Sequence, residues 1–407
     1  MPDTHDSSSA PEKQRSAAGS DQPRGVGGPL SGVRIVDMSS VVMGPFATMI
    51  MADLGAEVIK VEFDRGKVPG DMMRYAGYSP DGKRGPIYMA LNRGKKAVTI
   101  DASSDEGKAQ LTNLLKDADV FFHNVRLAGM KRLGLDYDGV RAIKPDIIYT
   151  HCAGYGAGGP YSKRQAYDDL VQAASGFAAL EAERSGGDPA YAPSLIADKT
   201  VGLFATYATL AALFHRERTG EGQFVSVPMF ESFTFFNMVE NLYGATFASG
   251  NGKLAYTRSV NPRRRPYPTK DGYIAIVPYI DAQWERFFEI GGRPGVFDDP
   301  RFSTYEARTQ NTGELYAIIE EVASTKTTDE WVIILAEEQI PAMRYNSMED
   351  VLADPHLEAV NFFESRQDDV LGEYRSMQHP VGFSVSPARA GEVPPAMGQD
   401  NAILDKD

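Results

Sequence analysis

The chain predicts an α/β fold: a large domain built on a doubly wound parallel sheet, followed by a smaller α+β domain. Three observations predict it. Val33 to Met38, Pro45 to Leu54 and Glu57 to Glu62 read as strand, helix and strand. The same alternation recurs up to residue 150, and strands separated by helical crossovers lie parallel. Beyond Tyr243 the alternation gives way to an irregular basic stretch and then to strand and helix signals of a separate unit.

Val33 to Met38 is a short apolar run, as a buried parallel strand requires. Gly44-Pro45 opens the first helix, since Pro suits its first turn, and Gly55 closes it. Ala97 to Asp101 is a strand, Asp105 to Lys116 a helix, Asp119 to Asn124 a strand and Ile147 to Thr150 another. Val201 to Phe214 is apolar throughout and reads as a buried helix closed by Thr219-Gly220. Gln223 to Val227 is a further strand and Glu231 to Tyr243 a helix. The second unit shows a strand at Tyr273 to Val277 and helices at Gln283 to Ile290, Glu314 to Ser324 and Asp329 to Glu338. From about Ser347 the chain holds Pro-bounded extended pieces such as Pro380 to Val385.

These readings divide the chain into a disordered tail (1–28), a Rossmann-like large domain (29–230), a linker and small domain (231–345) and a C-terminal return to the large domain (346–407). The tail is rich in Ser, Pro, Gly, Asp and Arg and has no apolar signal segment, so the expected compartment is the cytoplasm. No uncharged run is long enough for a bilayer span. A net charge of −13 argues against nucleic acid and anionic membranes as partners. The single cysteine, Cys152, excludes an internal disulfide and a Cys-cluster metal site, and the six histidines show no zinc spacing.

Ligands of doubly wound sheets bind beyond the carboxyl ends of the strands. Ser39 to Pro45, Ile100 to Ser103, Asn124 to Arg132 and Gly154 to Gly159 fall there. No GxGxxG follows the first strand, which speaks against a dinucleotide oxidoreductase. Gly154 to Gly159 lacks the Lys-Ser/Thr of a phosphate-binding loop and reads as a turn. Asp198 stands at or near the start of the long apolar helix. An isolated Asp there is ordinarily a plain N-cap, and free N–H groups with the helix dipole favour its ionised form. An ionised, oriented carboxylate is also a nucleophile toward an activated acyl group.

Several segments together resemble the class III CoA-transferase family, which includes formyl-CoA and carnitine CoA-transferases and the related 2-methylacyl-CoA racemases. They are Pro29 to Asp37, Gly44 to Glu62, Gly70-Asp71, Asn92 to Lys96, Asp119 to Gly134, Tyr167 to Gly176 and Thr219 to Gln223. The C-terminal half is similar only in general pattern, through Lys270 to Ile274 and Asp350 to Pro355. The resemblance implies an acyl-CoA:carboxylate CoA-transferase with Asp198 as the nucleophile and Tyr167 and Asp168 lining the active site. It implies that Val42 and Met43, Ile100, Asp101, Ala102 and Ser103, and Asn124, Val125, Arg126 and Arg132 contact CoA. It also implies acyl-CoA and a small carboxylic acid as substrates, no permanently bound cofactor or metal, and an interlocked homodimer. Attack of the carboxylate on a thioester gives a mixed anhydride and CoA thiolate; re-attack by the thiolate leaves an aspartyl-CoA thioester, and the acceptor repeats the sequence.

Two departures from the family pattern bear on substrate. Phe63 follows Glu62 where formyl-CoA transferases often carry Arg, with Arg65 as a nearby substitute. The glycine run that closes over oxalate is replaced by Arg258 to Tyr267. Formyl-CoA:oxalate exchange is therefore not expected; Arg263, Arg264 and Arg265 read either as an exposed basic loop or as a segment from which one arginine faces an acidic or dicarboxylic acceptor. A 2-methylacyl-CoA racemase-type proton transfer is the alternative; the family's racemases carry a His near the position of Tyr167, which this chain lacks. A silent CoA-binding protein is a third reading.

Overall fold

The computed structural model describes residues 27–64, 68–250 and 252–405, so Arg65 and all but the last two residues of the segment read as a tail lie outside the described residues. The chain begins β1 (Arg34–Met38), α1 (Met43–Asp53), β2 (Glu57–Glu62), α2 (Pro86–Asn92) and β3 (Lys96–Thr99). It continues α3 (Asp105–Lys116), β4 (Val120–His123), α4 (Leu127–Leu133), α5 (Tyr137–Ile143) and β5 (Ile148–Ala153). Then follow α6 (Asp168–Ala174), α7 (Phe177–Ser185), α8 (Ile196–Thr219), β6 (Gln223–Pro228) and α9 (Met229–Asn241).

The six strands form one sheet in the order β3-β2-β1-β4-β5-β6, and every neighbouring pair is parallel. The doubly wound sheet expected from the sequence is present. Strand side chains alternate between two faces. Ile35, Val120 and Phe122 pack with Met43, Ala47, Val201, Ala205 and Phe233 of α1, α8 and α9. Val36 and Phe121 pack on the opposite face with Leu111, Leu115, Met130 and Val140 of α3, α4 and α5.

Helix α8 runs well past the apolar stretch at both ends. The stretch marked only its buried middle; Arg216 and Arg218 continue the helix in its last turn, and Gly220 ends it at φ 78°. The short helices α4 to α7 escaped the sequence reading because each carries too few buried positions to show a helical period.

A second unit contains β7 (Tyr267–Pro268), β8 (Tyr273–Ile276), α10 (Asp281–Ile290), α11 (Tyr305–Gln310), α12 (Thr312–Ala323), α13 (Thr328–Glu337) and β9 (Ala342–Arg344). Its three strands pair antiparallel in the order β7-β8-β9 over a core that includes Phe287, Phe288, Ile319 and Trp331. After α14 (Met348–Leu352) and α15 (Pro355–Ala359), β10 (Phe363–Asp368) and β11 (Gly372–Met377) form an antiparallel hairpin. Each strand alternates charged with uncharged residues, but neither carries a continuous apolar face to mark it as a buried strand.

The chain then meets the large sheet again. Arg389 N–H donates to the Asp53 carbonyl at 2.9 Å. Ala97 N–H donates to Asp400 Oδ2 at 2.8 Å and Thr99 N–H to Asn401 Oδ1 at 2.8 Å, so the N–H groups of both residues on edge strand β3 are used. Among the described residues no helix is long and apolar enough to cross a membrane.

Candidate active site

The strand order reverses between β1 and β4, so the loops leaving these two strands flank a crevice. The β1 loop is Ser39 to Val42 and the β4 loop starts at Asn124. Each holds the other. Ser40 N–H donates to Asn124 Oδ1 at 3.1 Å, and Asn124 Nδ2 donates to the Ser40 carbonyl at 2.8 Å.

A buried ion pair clamps the β1 loop from the opposite side. Lys60 Nζ donates to the Ser39 carbonyl at 2.9 Å and to Asp71 Oδ2 at 3.0 Å. Asp71 Oδ1 accepts from Val41 N–H at 3.2 Å. Val41 needs this restraint, because its φ of 75° is a left-handed conformation that a β-branched residue enters only with strain. Burial penalises the Lys60 charge, but the carboxylates of Asp71, Asp37 and Glu62 overcome that penalty and hold the ammonium above the usual lysine range.

Val42 and Met43 are buried at the start of α1. Helix α8 passes directly over them. A Cβ on Gly202 would sit 2.9 Å from the Met43 carbonyl oxygen and 2.9 Å from Phe46 Cδ1, so only glycine permits this approach. Asp198 lies one helical turn before Gly202 and therefore on the same face of α8.

The N-cap of α8 is Leu195, which places Asp198 inside the first turn rather than at the cap. The capping role falls to Asp168 in the first turn of α6. Its Oδ2 accepts from Asp198 N–H at 2.9 Å, and its Oδ1 accepts from Gln172 Nε2 at 2.5 Å. Gln172 Oε1 in turn accepts from Ala192 N–H at 2.9 Å, which fixes the segment leading into α8.

The helix terminus favours the ionised form, but it does not hold the Asp198 carboxyl in the usual carboxylate range. Burial, and then the negative charges of Asp168 and Asp169, push its carboxyl up to about 7. The dipole favours the anion by under about 1 kcal/mol in ordinary settings, which desolvation and two neighbouring carboxylates outweigh. Among the described residues the Asp198 carboxylate has no cationic or hydrogen-bonding partner, so both of its oxygens are uncommitted. Asp169 is exposed and acts on Asp198 only through its charge. Asp169→Asn is therefore expected to move the alkaline rise of Asp198-dependent activity toward lower pH, with the plateau rate kept. A pH–rate profile of both forms checks this.

The other expected contacts distribute along the same sheet edge. Arg126 is the N-cap residue of α4, and Arg132 lies on that helix about 9 Å further on at the usual rise per residue. Both are exposed, and neither forms an ion pair among the described residues. Val125 is half-buried and its carbonyl lies 3.1 Å from His123 Nδ1. Ile100 and Ala102 are buried, whereas Asp101 and Ser103 are exposed. Asp101 Oδ1 accepts from Ser103 N–H at 3.0 Å and from its Oγ at 2.6 Å, which closes this turn. Strand β3 is two strands from β1, so the turn sits about 10 Å along the edge. Tyr167 is 58% exposed at the N-cap of α6, with an open face toward solvent.

Of the three candidate arginines for an acidic acceptor, Arg263 and Arg265 both bind Glu320, at 2.9 Å each. Arg264 has no ion pair among the described residues. Sequence reasoning quoted Asp71 without a role and missed Lys60, Gln172 and Asp169. A lysine inside the apolar run Glu57–Glu62 is the one signal that pointed to Lys60. No group of three metal-ligating side chains occurs among the described residues.

The site can be set beside known proteins. Succinate–glutarate CoA-transferase of Agrobacterium fabrum is 32% identical over 386 residues, covering 92% of this chain and 94% of that protein. (R)-2-hydroxy-4-methylpentanoate CoA-transferase of Clostridioides difficile is 29% identical over 378 residues, covering 91% and 93%. The crystal structure of a CAIB/BAIF family protein from Brucella suis superposes with a TM-score of 0.76 at 29% identity, covering 93% of this chain and all of that one. Residues 30–401 match CoA-transferase family III, and the chain belongs to that family.

Proposed function

We propose that the protein moves CoA from an acyl-CoA thioester to a carboxylic acid, with Asp198 as the nucleophile. The observation that carries this reading is an uncommitted carboxylate in the first turn of α8, one turn before Gly202, where that helix lies against the Met43 carbonyl at the start of α1. Asp198 in its ionised form attacks the thioester carbonyl, and the C–S electron pair leaves as CoA thiolate. The thiolate then attacks the aspartyl carbonyl of the anhydride and expels the donor acid as its carboxylate. The acceptor carboxylate reverses both steps. No proton is gained or lost overall, and no redox partner is needed.

Arg126 and Arg132 supply unpaired cations for the CoA phosphates, and Asn124 fixes the loop beneath them. Val42 and Met43, buried at the start of α1, support from beneath the wall against which the pantetheine arm lies. Ile100 to Ser103 lies far enough along the edge to meet the adenosine end of an extended ligand. Tyr167 is the open aromatic of the acyl side. The two named relatives take acids of different kinds, so family membership supports the reaction and leaves the acid open.

Incubation with succinyl-CoA, without acceptor, tests this directly. Intact-mass spectrometry is expected to find the chain carrying CoA, and hydroxylamine to release it. A chain that never gains CoA mass while thioester exchange proceeds would sink the aspartyl route.

The working form proposed is a homodimer. Leu203 and Tyr207 of α8 and Phe235 and Val239 of α9 are one turn apart in each pair and all more than half exposed. Such an apolar stripe is what a second copy covers. Light scattering is expected to give twice the 44.5 kDa chain mass, and a monomer in active preparations would contradict it.

A further inference from the structure

A cavity of about 590 Å³ opens in the small domain between the β7–β8 ladder and helices α11 and α12. Its volume falls in the range of small-molecule sites. Tyr256, Tyr267, Trp284 and Tyr316 provide aromatic walls. Four arginines line it, Arg258, Arg264, Arg265 and Arg308, and no carboxylate does. In a chain of net charge −13 this is a local inversion of sign.

Two of the four cations are already answered. Arg308 pairs with Asp281 and donates to the Phe302 carbonyl at 2.9 Å. Arg265 shares Glu320 with Arg263. The other two are not. Arg258 is half-buried, and its Nε donates to the Tyr316 hydroxyl at 2.8 Å, a neutral partner that leaves its charge uncompensated. Arg264 is exposed at the rim, and it also borders a second cavity of about 480 Å³. Neither arginine has an acidic partner among the described residues. A half-buried guanidinium held in place without a counter-ion favours an anion from solution, and a planar carboxylate matches its paired donors.

We propose that this cavity binds an organic carboxylate with an apolar body, with Arg258 and Arg264 as its charged contacts and the tyrosines against its carbon chain. The same chemistry fits either the acceptor acid of the transfer or an effector that never exchanges CoA. The proposal stands without the transfer reading, because binding in this cavity requires no thioester.

The test is calorimetric titration of the full chain with glutarate, succinate and 4-methylpentanoate in the absence of any CoA compound, with sodium sulfate as the control for unspecific anion binding. At least one acid is expected to bind with an affinity that falls tenfold or more in Arg264→Gln and in Arg258→Gln. Arg258 tethers Tyr316, so a misfolded Arg258 variant is recognised by circular dichroism; the exposed Arg264 variant then carries the test alone. Absence of binding for all three acids, or wild-type affinity in Arg264→Gln, overturns the proposal. Where binding is lost, acyl exchange assigns the source. A matching rise in acceptor KM marks an acceptor subsite, and an unchanged KM with altered kcat marks an effector site; both sustain the cavity as a carboxylate site.

Discussion

Asp198→Ala is expected to abolish thioester exchange, lowering kcat by at least ~10⁴-fold and removing the CoA-bearing protein mass, while acyl-CoA binding persists. A nucleophile that forms the covalent intermediate has no bystander able to replace it, which is why losses on nucleophile removal are of this size. Equilibrium dialysis with CoA and exchange kinetics on the same preparation check the two halves. If exchange survives in the variant, another group carries the acyl transfer.

Asp198→Asn adds a second readout. The native carboxyl is raised to about 7 against an ordinary value of 3.8. Between those values the folded chain holds a proton that the unfolded chain has released. Stability therefore falls as pH rises through this window, and the full penalty remains above it. Asparagine carries no such penalty. The variant is expected to be more stable than the native chain at pH 8, on the order of 1–2 kcal/mol after allowance for partial solvent screening, and equal to it near pH 4. Denaturant titrations at the two pH values measure the difference. Activity in the native enzyme should rise through the same window, because only the anion attacks. Loss of exchange with gain of alkaline stability is the pattern of a group kept for chemistry at the expense of the fold.

The second large effect concerns Lys60 and Asp71. Both side chains are essentially excluded from solvent, so Lys60→Met leaves the Asp71 carboxylate buried without its cation. That is expected to cost roughly 3–5 kcal/mol, a fall of roughly 4–10 °C in thermal midpoint. Neutralising both members in Lys60→Met/Asp71→Asn is expected to recover most of this, since no charge is then stranded. Exchange should not recover in step. The double variant lacks the ammonium that holds the Ser39 carbonyl, and the strained Val41 turn loses one of its restraints. Recovered stability with a persistently raised acyl-CoA KM identifies the pair as a positioning device. Full recovery of both would reduce it to a structural ion pair.

Much of the large domain was legible because buried strands and the helix Asp105–Lys116 bury enough apolar surface to leave a local pattern. Glu57–Glu62 and Asp105–Lys116 have the boundaries read from sequence. The surroundings of Asp198 were not legible. Asp168 is 30 positions away, and only the packing of α6 against α8 turns it into the cap of that helix and a source of repulsion. Local reasoning gave the cap position to Asp198 itself and so missed the upward push on its carboxyl. Lys60 failed for a related reason. A lone lysine inside an apolar run signals burial without naming a partner, and here the carboxylate that neutralises it arrives from a loop beyond the strand. Helices α6 and α7, too short to advertise a period, had the same effect on the segment that carries Tyr167.

The contacts of Asp400 and Asn401 with strand β3 set a timetable for biosynthesis. The groups that meet are 303 and 302 positions apart, so a growing chain displays the outer edge of β3 long after β1 and β2 have been made. Contacts of such separation form late, and an unpaired edge is a template for another strand. Until the ribosome has delivered these residues, the nascent protein is at its most prone to join its neighbours, and a chain terminated shortly before residue 389 keeps that vulnerability for its lifetime.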